Sequence, residues 1–83
     1  MYYVYLIESK MTKERYIGST NDLKKRIREY NTGQVFSTKH ARPWQIVYYE
    51  AYLTEKLARL REKRLKYNGS SKHSLFKRLY PAL

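Results

Sequence analysis

The chain has 83 residues, no cysteine, and 18 Lys and Arg against seven Asp and Glu, which gives a formal net charge of +11. A chain of this length forms one domain, here spanning residues 1–83, and the lack of cysteine excludes disulfides and thiolate metal sites. Neither a membrane-spanning apolar run nor a signal-peptide pattern is present. The sequence therefore predicts a cytoplasmic, nucleoid-associated protein that is made without a targeting segment.

The excess of positive charge is the first indication of a partner. A surface this basic repels itself and is typical of proteins that bind an anion. The plain alternative is a basic surface that only keeps a small domain in solution. An anionic membrane is disfavoured, because no basic segment carries a clean apolar face suited to a membrane interface. Nucleic acid is the leading prediction.

The first part of the chain predicts a β-hairpin. Residues 2–8 and 14–18 are rich in β-branched and aromatic side chains, which are typical of short strands. If the hairpin turns symmetrically about Lys10–Met11, Tyr5 lies opposite Tyr16 and both hydroxyls stand on one face of the sheet.

A helix is predicted after the hairpin. Capping side chains at 19–21 precede Asp22, which suits the first turn, and apolar residues then follow one face to about Tyr30. Arg26 and Tyr30 are four residues apart and share a side of this helix. Gly33 lies where such a helix ends.

The second half of the chain completes an α+β pattern. A polar basic loop at 32–43 leads to a third strand at 44–51, a longer helix after Thr54, and a last short helix at about 71–79. The order ββαβαα with three short strands predicts a three-stranded antiparallel sheet flanked by helices.

Groups that could perform chemistry are few. His40 and His73 lack a partnering Ser or Cys, and the scattered acids cannot supply the carboxylate cluster of a two-metal site. Glu62 is the only acidic side chain after Glu55, and it shares a side of the long helix with Arg59 and Lys66. One interpretation of this arrangement is that Glu62 forms weak ion pairs on the solvated surface of the helix, and composition alone favours that interpretation. The other interpretation is a single ligand for a hard cation, with phosphate supplying further oxygens.

Two tyrosine motifs in the expected order resemble the GIY-YIG nuclease family. The triplet Tyr3-Val4-Tyr5 precedes Tyr16-Ile17-Gly18, with eleven positions from Tyr5 to Tyr16. The resemblance continues through NDLKKRIREYN, TKHARPWQIVYYE and LREKRLK, and so covers about residues 2–66. The ordered series is far more specific than the YIG triplet by itself.

The resemblance implies an endonuclease that hydrolyses DNA phosphodiester bonds with one divalent cation, Mg²⁺ or in its place Mn²⁺. By this resemblance Tyr5 and Tyr16 are the motif tyrosines, with Tyr16 close to the attacking water. Arg26 faces the scissile phosphate, and Tyr30 stands where relatives carry His or Tyr. Glu62 is the ligand of the cation, and we expect it to be accessible and to share a cleft with Tyr16 near Arg26.

Further residues are expected to contact the substrate. The predicted nucleic-acid-binding residues are Lys24, Lys25, His40, Arg42, Arg59 and Lys66. Gly18 is expected to leave the strand end bare, so that a backbone or a phosphate can approach it. Two positions depart from the family pattern: Tyr3 replaces the first glycine of the motif, and Asn68 lies too near Glu62 to match the late asparagine of several relatives.

The proton of the attacking water needs an acceptor, and the tyrosines are the candidates. A phenol serves at neutral pH only if nearby cations favour the phenolate. The alternative function is a DNA- or RNA-binding module that keeps the fold without cleaving, and a basic scaffold of an RNA–protein particle is a third. Glu62 argues against pure binding, because an acid repels phosphate unless a cation lies between them.

Overall fold

A computed structural model describes residues 1–81, and within them three strands form one sheet that helices cover on both faces. The elements are β1 (Tyr2–Ser9), β2 (Arg15–Thr20), α1 (Leu23–Asn31), a 3₁₀ helix (Phe36–Ala41), β3 (Trp44–Tyr52), α2 (Glu55–Tyr67) and α3 (Gly69–Leu79). The α+β class and the ββαβαα order are confirmed. The 3₁₀ helix is an addition, since the sequence predicted only a loop there. In the same span no helix is long and apolar enough to cross a membrane.

The sheet has the antiparallel order β2-β1-β3, so β2 and β3 are its edges. Its register pairs Tyr5 with Gly18 and Ile7 with Tyr16. The predicted pairing of Tyr5 with Tyr16 is therefore wrong by two residues. Because side chains alternate between faces with a period of two, both tyrosines still lie on the same face.

The turn between β1 and β2 explains the difference in register. The Ser9 backbone N–H donates to the Glu14 carbonyl, and its hydroxyl accepts from the N–H groups of Met11 and Thr12. Lys13 adopts a φ of 66°, the left-handed conformation that lets the chain return to the sheet. The turn is therefore centred one residue later than a symmetrical reading of the sequence predicts.

Two apolar clusters lie on the two faces of the sheet. The cluster under α1 and the 3₁₀ helix contains Tyr5, Ile7, Tyr30, Ala41 and Trp44. The cluster under α2 and α3 contains Val4, Leu6, Ile17, Ala58, Leu65 and Leu75. The helices α1 and α2 therefore cover opposite faces.

Polar side chains set the helix ends. Asp22 caps α1 by accepting from the Lys25 N–H at 3.1 Å, so it stands before the first turn and not within it as predicted. Thr54 caps α2 as expected, and Gly33, with a φ of 79°, follows the end of α1. Asn68 caps α3, which begins two residues earlier than predicted.

Glu50 ties β3 to α2. Arg61 donates from Nε and Nη2 to its two carboxylate oxygens at 2.9 and 3.1 Å. The hydroxyls of Tyr48 and Tyr52 donate to the same carboxylate, each at 2.6 Å. This half-buried network fixes how α2 lies against the sheet.

Candidate functional site

Three of the predicted site residues meet in one hydrogen-bonded cluster beneath α1. The hydroxyls of Tyr5 and Tyr30 lie 2.8 Å apart, and Arg26 Nε donates to the Tyr5 hydroxyl at 3.3 Å. The Arg26 guanidinium carbon lies 4.9 Å from the centre of the Tyr30 ring. Arg26 Nη1 also donates to Glu29 at 3.0 Å, a partner that the sequence analysis missed although its i, i+3 spacing was visible.

The cluster holds Tyr5 neutral and Arg26 charged. Burial raises the pKa of Tyr5, the hydrogen bond to Tyr30 raises it further, and Arg26 offsets only part of this. Burial opposes the charge on Arg26, but the hydrogen bonds to Tyr5 and Glu29 raise its pKa overall. The pKa of Tyr5 is thus raised overall, opposite to the direction expected if nearby cations favoured the phenolate.

Gly18 makes room for the Tyr5 hydroxyl. A side chain at Gly18 would collide with the ring and hydroxyl of Tyr5 across the sheet. The residue is buried, so the strand is not bare at this point as predicted. Its lack of a side chain serves the packing of Tyr5, because only glycine permits so close an approach.

Tyr16 lies on the same face but outside this cluster. Its ring meets Trp44 edge to face, with 5.7 Å between ring centres. The residue is 40% exposed, and within residues 1–81 its hydroxyl makes no hydrogen bond. Of the two motif tyrosines, Tyr16 is therefore the exposed one, and Tyr5 is buried.

Glu62 lies on the other face of the sheet, where Ser19 and Lys66 hold it. The Ser19 hydroxyl and the Lys66 ammonium each donate to its carboxylate at 2.7 Å. Burial alone would raise the pKa of Glu62, but these two hydrogen bonds lower it overall, so the carboxylate is ionised. The side chain is 20% exposed and thus less open than predicted.

The two groups meet at one edge of the sheet. Gly18 and Ser19 are consecutive residues of β2, and their side-chain positions point to opposite faces. The arginine cluster lies beyond Gly18, and Glu62 lies beyond Ser19. Glu62 and Arg26 thus approach from opposite faces and flank β2, whose outer edge no other strand of residues 1–81 covers. The cleft shared by Glu62 and Tyr16 stays a prediction.

Glu62 and Ser19 are the oxygen donors that could hold a cation here. No group of three or more Asp, Glu, His or Cys side chains exists within residues 1–81. A single carboxylate still fits a hard cation that keeps several waters and takes other oxygens from a substrate phosphate. Lys66 would have to leave one carboxylate oxygen to make room.

The predicted nucleic-acid-binding residues divide between the two faces. Lys24 and Lys25 are exposed on α1. Four others have contacts within the protein: His40 with Glu14 at 3.2 Å, Arg42 with the Lys39 carbonyl at 2.9 Å, Arg59 with Glu55 at 3.1 Å, and Lys66 with Glu62. Arg59 and Lys66 flank Glu62 along α2. The predicted nucleic-acid-binding residues therefore do not form one patch.

Comparison with known proteins places this arrangement in a family. Residues 1–79 match the GIY-YIG catalytic domain. The chain belongs to the GIY-YIG family. A UPF0213 protein of Haloquadratum walsbyi is 34% identical over 76 residues, which cover 89% of this chain and 84% of that protein.

A solved GIY-YIG relative has a similar fold. The solution NMR structure of a UPF0213 protein from Bacillus halodurans has a TM-score of 0.56 at 26% identity, and the match covers 99% of this chain and 88% of the other. The resemblance inferred from the tyrosine motifs is thus confirmed for family and fold. The name UPF0213 states no activity, so a nuclease-type function is indicated by the GIY-YIG domain alone.

Proposed function

We propose that this GIY-YIG domain is a divalent-metal-dependent endonuclease that hydrolyses DNA phosphodiester bonds. The observation that carries the proposal is the pairing of two opposite charges across β2, with Arg26 held by Tyr5 on one face and Glu62 held by Ser19 on the other. A carboxylate beside a basic nucleic-acid surface weakens phosphate binding unless a cation bridges the two negative groups.

Arg26 is suited to the phosphoryl group. Its planar, permanently charged fork matches the oxygens that gain charge during hydrolysis better than an ammonium does. Glu29 and Tyr5 fix the guanidinium, so little reorganisation is needed when a phosphate arrives. Tyr30 supports the same geometry through its ring and its hydrogen bond to Tyr5.

Tyr16 is the residue proposed to act on the attacking water. The water oxygen bonds to phosphorus while Tyr16, as the phenolate, takes the proton of the water, and the bond to the 3′-oxygen breaks so that this oxygen leaves as an alkoxide and takes a proton from solvent. Tyr5 is unsuited to this role, because burial raises its pKa. The accessible position of Tyr16 at the β2 edge supports the assignment.

Glu62, with Ser19 beside it, is the proposed holder of Mg²⁺, for which Mn²⁺ would substitute. When bound, the cation supplies positive charge to a phosphate oxygen and to the leaving oxygen. The predicted nucleic-acid-binding cations would bind neighbouring phosphates of the backbone. Lys24 and Lys25 serve on one side, and Arg59 and Lys66 serve on the other.

The alternative is a module that binds DNA or RNA and does not cleave it, which the basic surface supports equally well. The two are separated by incubating the protein with end-labelled duplex, nicked, flapped, branched and single-stranded DNA and with a matched RNA. Each substrate is tested with Mg²⁺ and with EDTA, beside Glu62→Gln. Mg²⁺-dependent DNA cleavage that the variant lacks supports the proposal. Binding of every substrate without any product establishes the alternative.

A further inference from the structure

A cleft opens next to Tyr16, where α2 and α3 meet the edge of the sheet. Its volume is about 230 Å³, and Leu6 and Ile17 form its floor. The remaining lining residues are Arg15, Tyr16, Lys66, Lys72 and Phe76. The Phe76 ring and three cations therefore surround a small apolar floor beside Tyr16, whose own ring packs against Trp44 on the other face of the sheet, and no acidic side chain lines the cleft.

The cations of this Tyr16–Phe76 cleft differ in whether they are already paired within the protein. Arg15 is held by Glu8 at 3.1 Å, and its guanidinium carbon lies 4.0 Å from the ring centre of Tyr80. Lys72 is exposed, with its ammonium 5.7 Å from the ring centre of Phe76, and it forms no ion pair in the described part of the chain. Lys72 is thus available to a ligand, while Arg15 shapes the wall.

This composition matches one unpaired nucleotide. Proteins that hold single strands combine aromatic rings, on which bases stack, with cations that follow the phosphates. A cleft of this size accepts a single base but not a stacked base pair. An intact duplex would meet the same surface with its phosphates only.

Lys66 connects the cleft to the proposed reaction site. Its side chain lines the cleft and its ammonium donates to Glu62, one helical turn away, or about 6 Å along α2. A nucleotide with its base in the cleft would therefore bring an adjoining phosphate to Glu62.

We infer that the Tyr16–Phe76 cleft binds an unpaired nucleotide next to the cleaved phosphate, so that the substrate is DNA with a single-stranded flank. The inference rests on the proposed function for the position of cleavage. The binding preference itself does not depend on catalysis, and so it is measured in EDTA.

The test compares a blunt duplex with the same duplex carrying a single-stranded tail, by fluorescence anisotropy. Lys72→Glu is expected to lower affinity for the tailed DNA about tenfold more than for the blunt duplex. Lys77→Glu is the matched control, because it makes the same charge change on the same helix outside the cleft. It is expected to lower both affinities equally.

A second measurement reports on stacking. A 2-aminopurine base in the tail should lose fluorescence on binding, and Phe76→Leu should restore it while keeping an apolar side chain against the core. Circular dichroism confirms that this variant folds, and the Lys72→Glu comparison remains decisive if it does not.

Each outcome separates the cleft from the nuclease. If Lys72→Glu lowers the affinity for tailed and for blunt DNA equally, the inference that the cleft binds an unpaired nucleotide is wrong. Tail preference without cleavage of any substrate supports the cleft and overturns the proposed function. If the protein cleaves DNA with no preference for a tail, the proposed nuclease function is supported and the inferred nucleotide binding by the cleft is wrong.

Discussion

Glu62 accepts a hydrogen bond of 2.7 Å from Ser19, the residue that follows Gly18 on the edge strand β2. On the opposite face, Gly18 lies against the hydroxyl of Tyr5, which accepts in turn from Arg26. A carboxylate and a guanidinium are therefore anchored at neighbouring positions of one strand. The carboxylate comes from α2 and the guanidinium from α1, and the β2 backbone fixes where the two groups lie relative to each other.

Glu62→Gln should remove Mg²⁺-dependent cleavage while binding in EDTA is kept or becomes tighter. The loss should be at least about 100-fold, if the cation contributes roughly 3 kcal/mol to the transition state. Binding should not weaken, because a charge that repels phosphate disappears. Cleavage rates at saturating protein and anisotropy in EDTA measure the two effects.

The matched control for that variant is Glu55→Gln. Glu55 is an exposed acid of the same helix, paired with Arg59 at 3.1 Å. The same amide replacement there should leave cleavage within about twofold of the parent, as expected when only an exposed ion pair is lost. Equal effects of the two variants would show that Glu62 has no special role.

Arg26→Lys should lose cleavage by about 100-fold or more although the positive charge is kept, because an ammonium lacks the planar fork. Arg28→Lys, on the exposed side of the same helix, should cleave nearly as fast as the parent. Single-turnover rates compare the two. Full activity in Arg26→Lys would mean that charge alone is sufficient there.

Gly18→Ala should destabilise the fold by about 1–3 kcal/mol, because the new methyl group collides with Tyr5. Tyr5→Phe removes the hydroxyl that lies closest to Gly18, so the double variant should lose less than the sum of the two single losses. Urea denaturation of the four proteins measures this coupling. Strictly additive losses would contradict the contact between Gly18 and Tyr5.

Stability should fall in acid partly through Glu50. Burial opposes its ionisation, but Arg61 and the two tyrosine hydroxyls lower its pKa from 4.5 to about 2. The folded pKa lies below the unfolded one, so this stabilisation is complete above about pH 4.5 and is lost as the pH falls towards 2. The free energy of unfolding should drop by roughly 2–3 kcal/mol across that window.

Glu50→Gln isolates this contribution in urea titrations at stepped pH. The variant should be less stable than the parent at pH 7 and approach it near pH 2. Glu62, whose pKa is also lowered, contributes in the same way in both proteins, so its effect cancels in the comparison. A constant difference in stability between the two proteins from pH 7 to pH 2 would contradict the role of Glu50.

Binding to duplex DNA should weaken steeply with salt. About five phosphate contacts predict a slope of roughly −4 to −5 for the logarithm of the binding constant against the logarithm of the salt concentration. Lys24→Ala should make the slope shallower by about one and leave cleavage intact at saturating protein. A slope near zero in the parent protein would overturn nucleic acid as the partner.

Local patterns in the sequence determined the elements and most of the arginine cluster. The apolar run of β1 predicts a central strand, and the four-residue spacing of Arg26 and Tyr30 places both on one helical face. Alternation along β1 and β2 has a period of two, so an error of two residues in register left Tyr5 and Tyr16 on the same face. The motif series also identified the family, because it depends only on the order and spacing of residues along the chain.

The tertiary structure alone decided which face of the sheet α2 covers and therefore what Glu62 contacts. Several apolar residues of α2 compete for burial, and only Ala58 and Leu65 are buried, while Leu57 and Leu60 remain 49% and 45% exposed. The helical period does not select among them. Long-range packing against the sheet makes that choice, and it sets Glu62 against Ser19, on the face of the sheet opposite Arg26.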